Sequence, residues 1–199
     1  LISPTNTPIP TGTPLVVEVT ATGDTAITNL TAIFGGAATG ELVTTNGGQL
    51  RLTGMVPATA ADQPAQVYAQ AIDSLGLSSG QQVFNLATRD ATAPVAQITA
   101  PVAQSVVRPG SVLAVTVQGT DNWGITNLEL RIAGAWTATN QFAISPATTN
   151  ISRVLSVNVP ADAATNGEPV QLTLIARDTS GNVSTPVTHL LRMMDNTPP

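Results

Sequence analysis

Ile125-Thr126-Asn127-Leu128-Glu129-Leu130-Arg131-Ile132 closes on a strict alternation of apolar and charged residues, the period-2 pattern of a strand with one face in a core. Its first four residues have already occurred 98 positions earlier, as Ile27-Thr28-Asn29-Leu30. Two more segments recur. Val56-Pro57-Ala58 returns as Val159-Pro160-Ala161, and Asp90-Ala91-Thr92-Ala93-Pro94 returns as Asp195-Asn196-Thr197-Pro198-Pro199. A spacing near ~100 residues is longer than that of helix-pair solenoids and matches one small domain per copy. The expected division is therefore residues 1–92 and 93–199. The tail ends on the same kind of junction that separates the copies, so the chain is expected to be a segment of a longer array.

Working outward, other stretches of the second copy read as strands too. Val95 to Thr99 is an edge strand closed by Pro101, and Val112 to Gln118 follows the turn Pro109-Gly110. Trp136 to Phe142 is a short strand, and Ile151 to Val159 keeps one apolar parity broken only by Arg153. Val170, Leu172, Leu174 and Ala176 share a face, and Val183 to Arg192 supplies the last strand. The first copy offers Leu15–Ala21, Leu30–Phe34, Leu50–Val56, Ala65–Ala71 and Gln81–Thr88 in the corresponding places. Asn46-Gly47 is expected to close a hairpin there. Helical periodicity is absent, and Ala58–Asp62 and Ala161–Thr165 have room for one helical turn each. The fold class is all-β: two tandem immunoglobulin-like antiparallel β-sandwiches of about seven strands each. Their cores should hold Leu128, Leu130, Ile132, Leu155, Leu172 and Leu174 in one copy, and Leu30, Leu52 and Val67 in the other.

Composition narrows the function. All seven basic residues are arginine, at positions 51, 89, 108, 131, 153, 177 and 192. Without lysine there is no Schiff-base chemistry and no Lys–Asn isopeptide cross-link, and the scattered arginines make no patch for a phosphate backbone. A net charge of −5 argues further against nucleic acid. With no cysteine there is neither a disulfide framework nor a thiolate metal site. The apolar runs are far shorter than the ~20 residues of a membrane span, so no membrane insertion is expected.

Several segments resemble the bacterial Ig-like domains of secreted and cell-surface, adhesin-type proteins. In the second copy these are Ile98-Thr99-Ala100-Pro101, Arg108-Pro109-Gly110, Val115-Thr116-Val117 before Thr120-Asp121-Asn122, and Leu128-Glu129-Leu130 with Gly134. Such modules open with an I-x-x-P strand and carry D-N/D-x-G-I/V before their third strand. Ala176-Arg177-Asp178-Thr179-Ser180-Gly181-Asn182-Val183-Ser184, followed by Asp195 to Pro199, is similar to their A-x-D-x-x-G-N-x-S … D-x-T-x-P ending. The first copy departs where Gly23-Asp24-Thr25-Ala26 replaces Thr120 to Gly124 and where Leu77 stands for Asn182. The resemblance implies an extracellular or cell-surface bacterial protein and is specific as to fold rather than ligand, because these modules serve as stalks, spacers and adhesive tips.

No catalytic constellation is visible, and the chain is expected not to be an enzyme. His189 is the sole histidine, sits in a strand opposite the position of Phe84, and reads as packing. There is no Gly-x-Ser-x-Gly elbow and no cysteine nucleophile. The live candidate is a metal. In an Ig-like sandwich the loops after the second and sixth strands lie at one end and the last strand finishes at the other, so Asp90 is expected to approach Asp121, Asn122 and Asp178. Three carboxylates and an amide are the hard oxygen ligands calcium takes. The alternative is structural, with Asp178 and Asp121 capping ordinary turns. Trp123 reads as a cover for the junction or an exposed anchor, and Trp136, Tyr68 and Phe142 as strand packing. The functional expectation is a non-catalytic spacer or stalk whose partners are neighbouring Ig-like repeats. The alternatives are an adhesin module binding a host or matrix glycan or protein, and an accessory domain of a large extracellular hydrolase.

Overall fold

A computed structural model describes residues 2–3, 8–60, 63–163 and 167–194. The helical turns expected near 58–62 and 161–165 fall partly outside the described residues, and the closing Asp195 to Pro199 lies wholly outside them. Among the described residues there is no helix. The chain divides into two compact units, Leu1–Thr92 and Ala93–Pro199.

The first unit contains β1 (Ile2–Ser3), β2 (Ile9–Pro10), β3 (Thr13–Thr20), β4 (Ile27–Gly36), β5 (Thr39–Gly40) and β6 (Val43–Thr45). β7 (Gln49–Val56), β8 (Ala65–Asp73), β9 (Gln82–Leu86) and β10 (Thr88–Arg89) follow. Two four-stranded sheets, ordered β1-β3-β7-β5 and β6-β4-β8-β9, form its layers, and β2 pairs in parallel with β10. Alternate residues of each strand point inward, so Val17, Leu30, Leu52, Val56 and Val67 are at most 1% exposed.

Asn46-Gly47 does not close a hairpin. β6 pairs with β4 in one sheet and β7 with β3 in the other, so residues 46–48 carry the chain between layers. A hairpin turn of the expected kind needs positive φ at both central residues, and neither Asn46 nor Gly47 has it.

The second unit reaches the same architecture with longer strands: β11 (Val95–Ala100), β12 (Val106–Val107), β13 (Val112–Gly134), β14 (Ala138–Asn158), β15 (Pro169–Asp178) and β16 (Val187–Met193). β13 and β14 are one long antiparallel hairpin bent double. Val112 to Thr120 pairs with β11 and with residues 150–158, whereas Asn127 to Ile132 pairs with β15 and with residues 138–143. Val115 and Val117 from the first half therefore share a core with Leu128, Leu130, Leu155 and Leu172.

The final strand begins at Val187 rather than Val183, because Ser184 bonds back to Ala176 through its own N–H and accepts the Ala176 N–H on its hydroxyl. Glu129, on the outward parity of β13, is nevertheless only 5% exposed. It lies opposite Ile175 and Gln141 on the flanking strands, and Arg131 donates to its carboxylate.

Gly134, at the end of β13, has φ 108°, and a Cβ there would lie 2.0 Å from the Pro169 carbonyl oxygen. Only glycine fits so close an approach.

Leu172→Ala should cost about 2–5 kcal/mol, the usual loss for a buried leucine. Both tryptophans, Trp123 and Trp136, belong to the second unit, so tryptophan fluorescence in urea reports that unit. The same measurement separates the units. Leu52→Ala should lower the circular-dichroism transition while leaving the fluorescence midpoint in place.

Candidate functional site

In the second unit, Asp178 ends β15 and opens the turn Thr179-Ser180-Gly181-Asn182. Its Oδ1 accepts the N–H groups of Ser180 and Asn182 at 2.8 Å each, and Oδ2 accepts the Asn182 side-chain amide at 2.7 Å. Gly181 supplies the positive φ (86°) that tightens this turn. Asp121 caps the bend of β13 in the same way. Its Oδ2 accepts the N–H groups of Trp123 at 2.8 Å and Gly124 at 2.6 Å. The two segments are also tied through the backbone. The Thr179 N–H donates to the Gly124 carbonyl, and the Thr126 hydroxyl donates to the carbonyls of Arg177 and Asp178.

The structure thus brings Asp121 and Asp178 together, with a carboxylate oxygen of each within 4.8 Å of the other. Five N–H donations offset their mutual repulsion. One acceptor is left over, because Oδ1 of Asp121 is buried with no hydrogen-bond partner. A buried carboxylate oxygen without a donor is costly and is the kind of atom that a hard cation satisfies. Asn122 is half-buried on the same bend.

Asp90 belongs to the first unit. There its Oδ1 accepts the Thr11 hydroxyl at 3.3 Å and the Thr92 N–H at 3.0 Å, while the Ala91 N–H donates to the Thr11 hydroxyl oxygen. Both Asp90 and Thr11 are buried.

Two features were not read from the sequence. Asp73-Ser74-Leu75-Gly76-Leu77 is the first unit's counterpart of the turn from Asp178 to Asn182. Asp73 Oδ1 accepts the N–H groups of Leu75 and Leu77 at 2.9 and 2.8 Å. Its Oδ2 takes the Thr25 hydroxyl at 2.9 Å, so it faces a hydroxyl where Asp178 faces a second carboxylate. The aligned Asp-x-x-Gly in both turns was the available signal. Asp24 is exposed.

The second feature is the support under Asp121. Thr45 and Phe142 hold equivalent places opposite Leu30 and Leu128, as do Gln49 and Ser152 opposite Thr20 and Gln118. The first unit crosses between these points with residues 46–48 and the second with residues 143–151. The longer crossover lies against the bend, where a Cβ on Gly124 would be 3.2 Å from Ala147 and where Ile125 pairs with Thr148.

The remaining candidates have packing roles. His189 is half-buried opposite Leu172, with Nδ1 3.3 Å from the Pro101 carbonyl oxygen. Trp136 belongs to the core, Phe142 packs against it, and the Tyr68 hydroxyl donates to Gln66 Oε1 at 2.6 Å. Trp123 is half-buried.

Layers of this kind, with the first and last strands paired in parallel and the second strand crossing over to the third, define the immunoglobulin class of sandwich. Residues 94–153, in the second unit, match the family model described as Bacterial Ig domain. No curated protein matches the chain. Among solved structures, the ICAM-5 D1–D4 ectodomain fragment aligns over 98% of this chain at 14% identity with a TM-score of 0.55. This chain covers 53% of that fragment, about half its length. The fibronectin(III)-like modules of Clostridium thermocellum CbhA align over 98% of this chain and 95% of theirs, at 18% identity and a TM-score of 0.39. No helix among the described residues is long and apolar enough to cross a membrane.

Asp73 carries a pH prediction. Its pKa is lowered from 3.8, chiefly by the Leu77 N–H; burial opposes this, while the Thr25 hydroxyl and the N–H groups of Leu75 and Gly76 add to it. A carboxylate whose folded pKa is depressed stabilises the fold above its unfolded pKa, and that stability is lost as pH falls through the lowered value. Asp73→Asn should therefore lower the melting temperature at neutral pH, and the gap to wild type should close below pH 3.8 in a calorimetric pH series.

Proposed function

We propose that the chain is a non-catalytic tandem of Ig-like modules serving as a spacer or stalk segment in a secreted or cell-surface bacterial protein, where it holds a functional tip at a distance. The observation supporting this reading is that the groups able to do chemistry serve structural roles, and serve them twice. Asp73 and Asp178 each close the turn after a strand, Thr28 and Thr126 each bond two carbonyls across the sheet, and Ser79 and Ser184 each satisfy a strand alanine. The partners on this reading are further modules of the same kind. Pulling single molecules should give two unfolding events, each releasing roughly 300 Å of chain at ~3.5 Å per residue. One concerted event of twice that length would overturn the reading of two separate modules.

A second reading adds calcium at Asp121 and Asp178, with Asn122 beside them, and it is favoured by the unsatisfied Oδ1 of Asp121. Calcium should then raise the fluorescence-detected melting temperature of the second unit, and Asp121→Asn should abolish the rise. Asp90→Ala tests the contribution expected of Asp90 from the sequence. Titration calorimetry without a heat of binding would leave these carboxylates as turn caps alone.

A further inference from the structure

The two units treat their first strand differently, and the difference opens a cleft. In the second unit β11 lies on β13 from Val117 to Thr120 and sends Ala96 and Ile98, each 5% exposed, into the core. In the first unit the equivalent strand is β1, which pairs with β3 at Ile2↔Val19 and Ser3↔Glu18. Beyond that point, a cleft is lined by Val19, Ala21, Leu30, Ala69, Ala71 and Phe84, with Thr20, Thr22, Gln70, Ser79 and Gln82 around them.

By the repeat register these positions correspond to Val117, Gly119, Leu128, Leu174, Ala176 and His189, so the cleft is the place that β11 covers in the second unit. It is also deeper than its counterpart, because Ala69 stands where the second unit has the buried Leu174, three carbons larger. None of the lining residues is charged. A neutral apolar floor beside a strand suits an extended peptide, which gains main-chain hydrogen bonds from the edge and places alternate side chains in the pocket.

We infer that this cleft is a docking site for an extended peptide strand of the β11 type. The strand adds antiparallel to β3 across Glu18 to Thr22, takes over the two pairs made by β1, and inserts one apolar side chain between Leu30, Ala69 and Ala71. The space left by Ala69 selects a larger residue at that point than Ala96, the side chain that fills it in the second unit.

The probe is a synthetic peptide with the sequence of residues 92–99, offered to the full chain carrying labelled methyl groups. Its methyl signals at Val19, Leu30, Ala69 and Ala71 should shift on binding, while those of Leu174 and Ala176 stay in place. A peptide with leucine at the position of Ala96 should bind about tenfold more tightly, as expected for burying three more carbons. Ala69→Leu, which installs the second unit's residue, should fill the cleft and abolish binding without lowering the melting temperature. Absence of shifts at millimolar peptide, shifts confined to the second unit, or equal affinity in Ala69→Leu would overturn the proposal. Self-association abolished by Ala69→Leu would assign the cleft to a second copy of the chain and likewise overturn it.

Discussion

Wherever a strand leaves one layer of a sandwich for the other, its backbone N–H and C=O groups lose their ladder partners and still have to be satisfied. Both units solve this with the same side chains. Thr28 and Thr126 sit at the register shifts of β4 against β8 and of β13 against β15, and each hydroxyl bonds the two carbonyls the shift leaves over. Asp73 and Asp178 take the N–H groups of the turns that follow. Ser79 and Ser184 offer a hydroxyl to the N–H of Ala71 and Ala176 where the ladder breaks. With the crossing points satisfied, the inward faces close over an apolar core that needs neither disulfide nor metal.

These roles explain which sequence fragments recur. Ile-Thr-Asn-Leu returns because its isoleucine and leucine face the core and its threonine clamps the shift. The strand content was legible for a similarly simple reason: one face of Leu128 to Ile132 is buried, and burial on one face writes alternation into the chain. Glu129 departed from that pattern because a central strand has neighbours on both sides and they cover the outer face too. Connectivity was less legible. Asn-Gly is favourable in any tight turn, and whether the next strand joins the same sheet or the opposite one is decided by distant partners. The unbroken run of β14 through residues 143–151 depends likewise on pairing with the bend of β13, a contact that local composition does not encode.

For the candidate site, residue types were legible and environments were not. Asp121 and Asp178 were identified from their turns, and their proximity follows from the loop positions of the fold. Asp73 escaped notice because Leu77 breaks the motif that marks Asp178, although the backbone donors that hold Asp73 do not depend on the side chain at position 77. An Asx-turn is read by N–H groups, and any residue can supply those.

The two ends that carry these aspartates differ in electrostatic character, although their hydrogen-bond plan is shared. In the first unit one carboxylate meets a hydroxyl donor, Thr25, and its lowered pKa reflects net stabilisation of the charge. In the second, two carboxylates approach within 4.8 Å, held by turn donors alone, over a crossover lengthened to support the bend. Replacing a hydroxyl by a carboxylate adds negative charge without adding stability. A spacer that only had to fold would have no use for the second arrangement. The long crossover and the paired carboxylates therefore belong together, as the part of the repeat that has departed from the common framework.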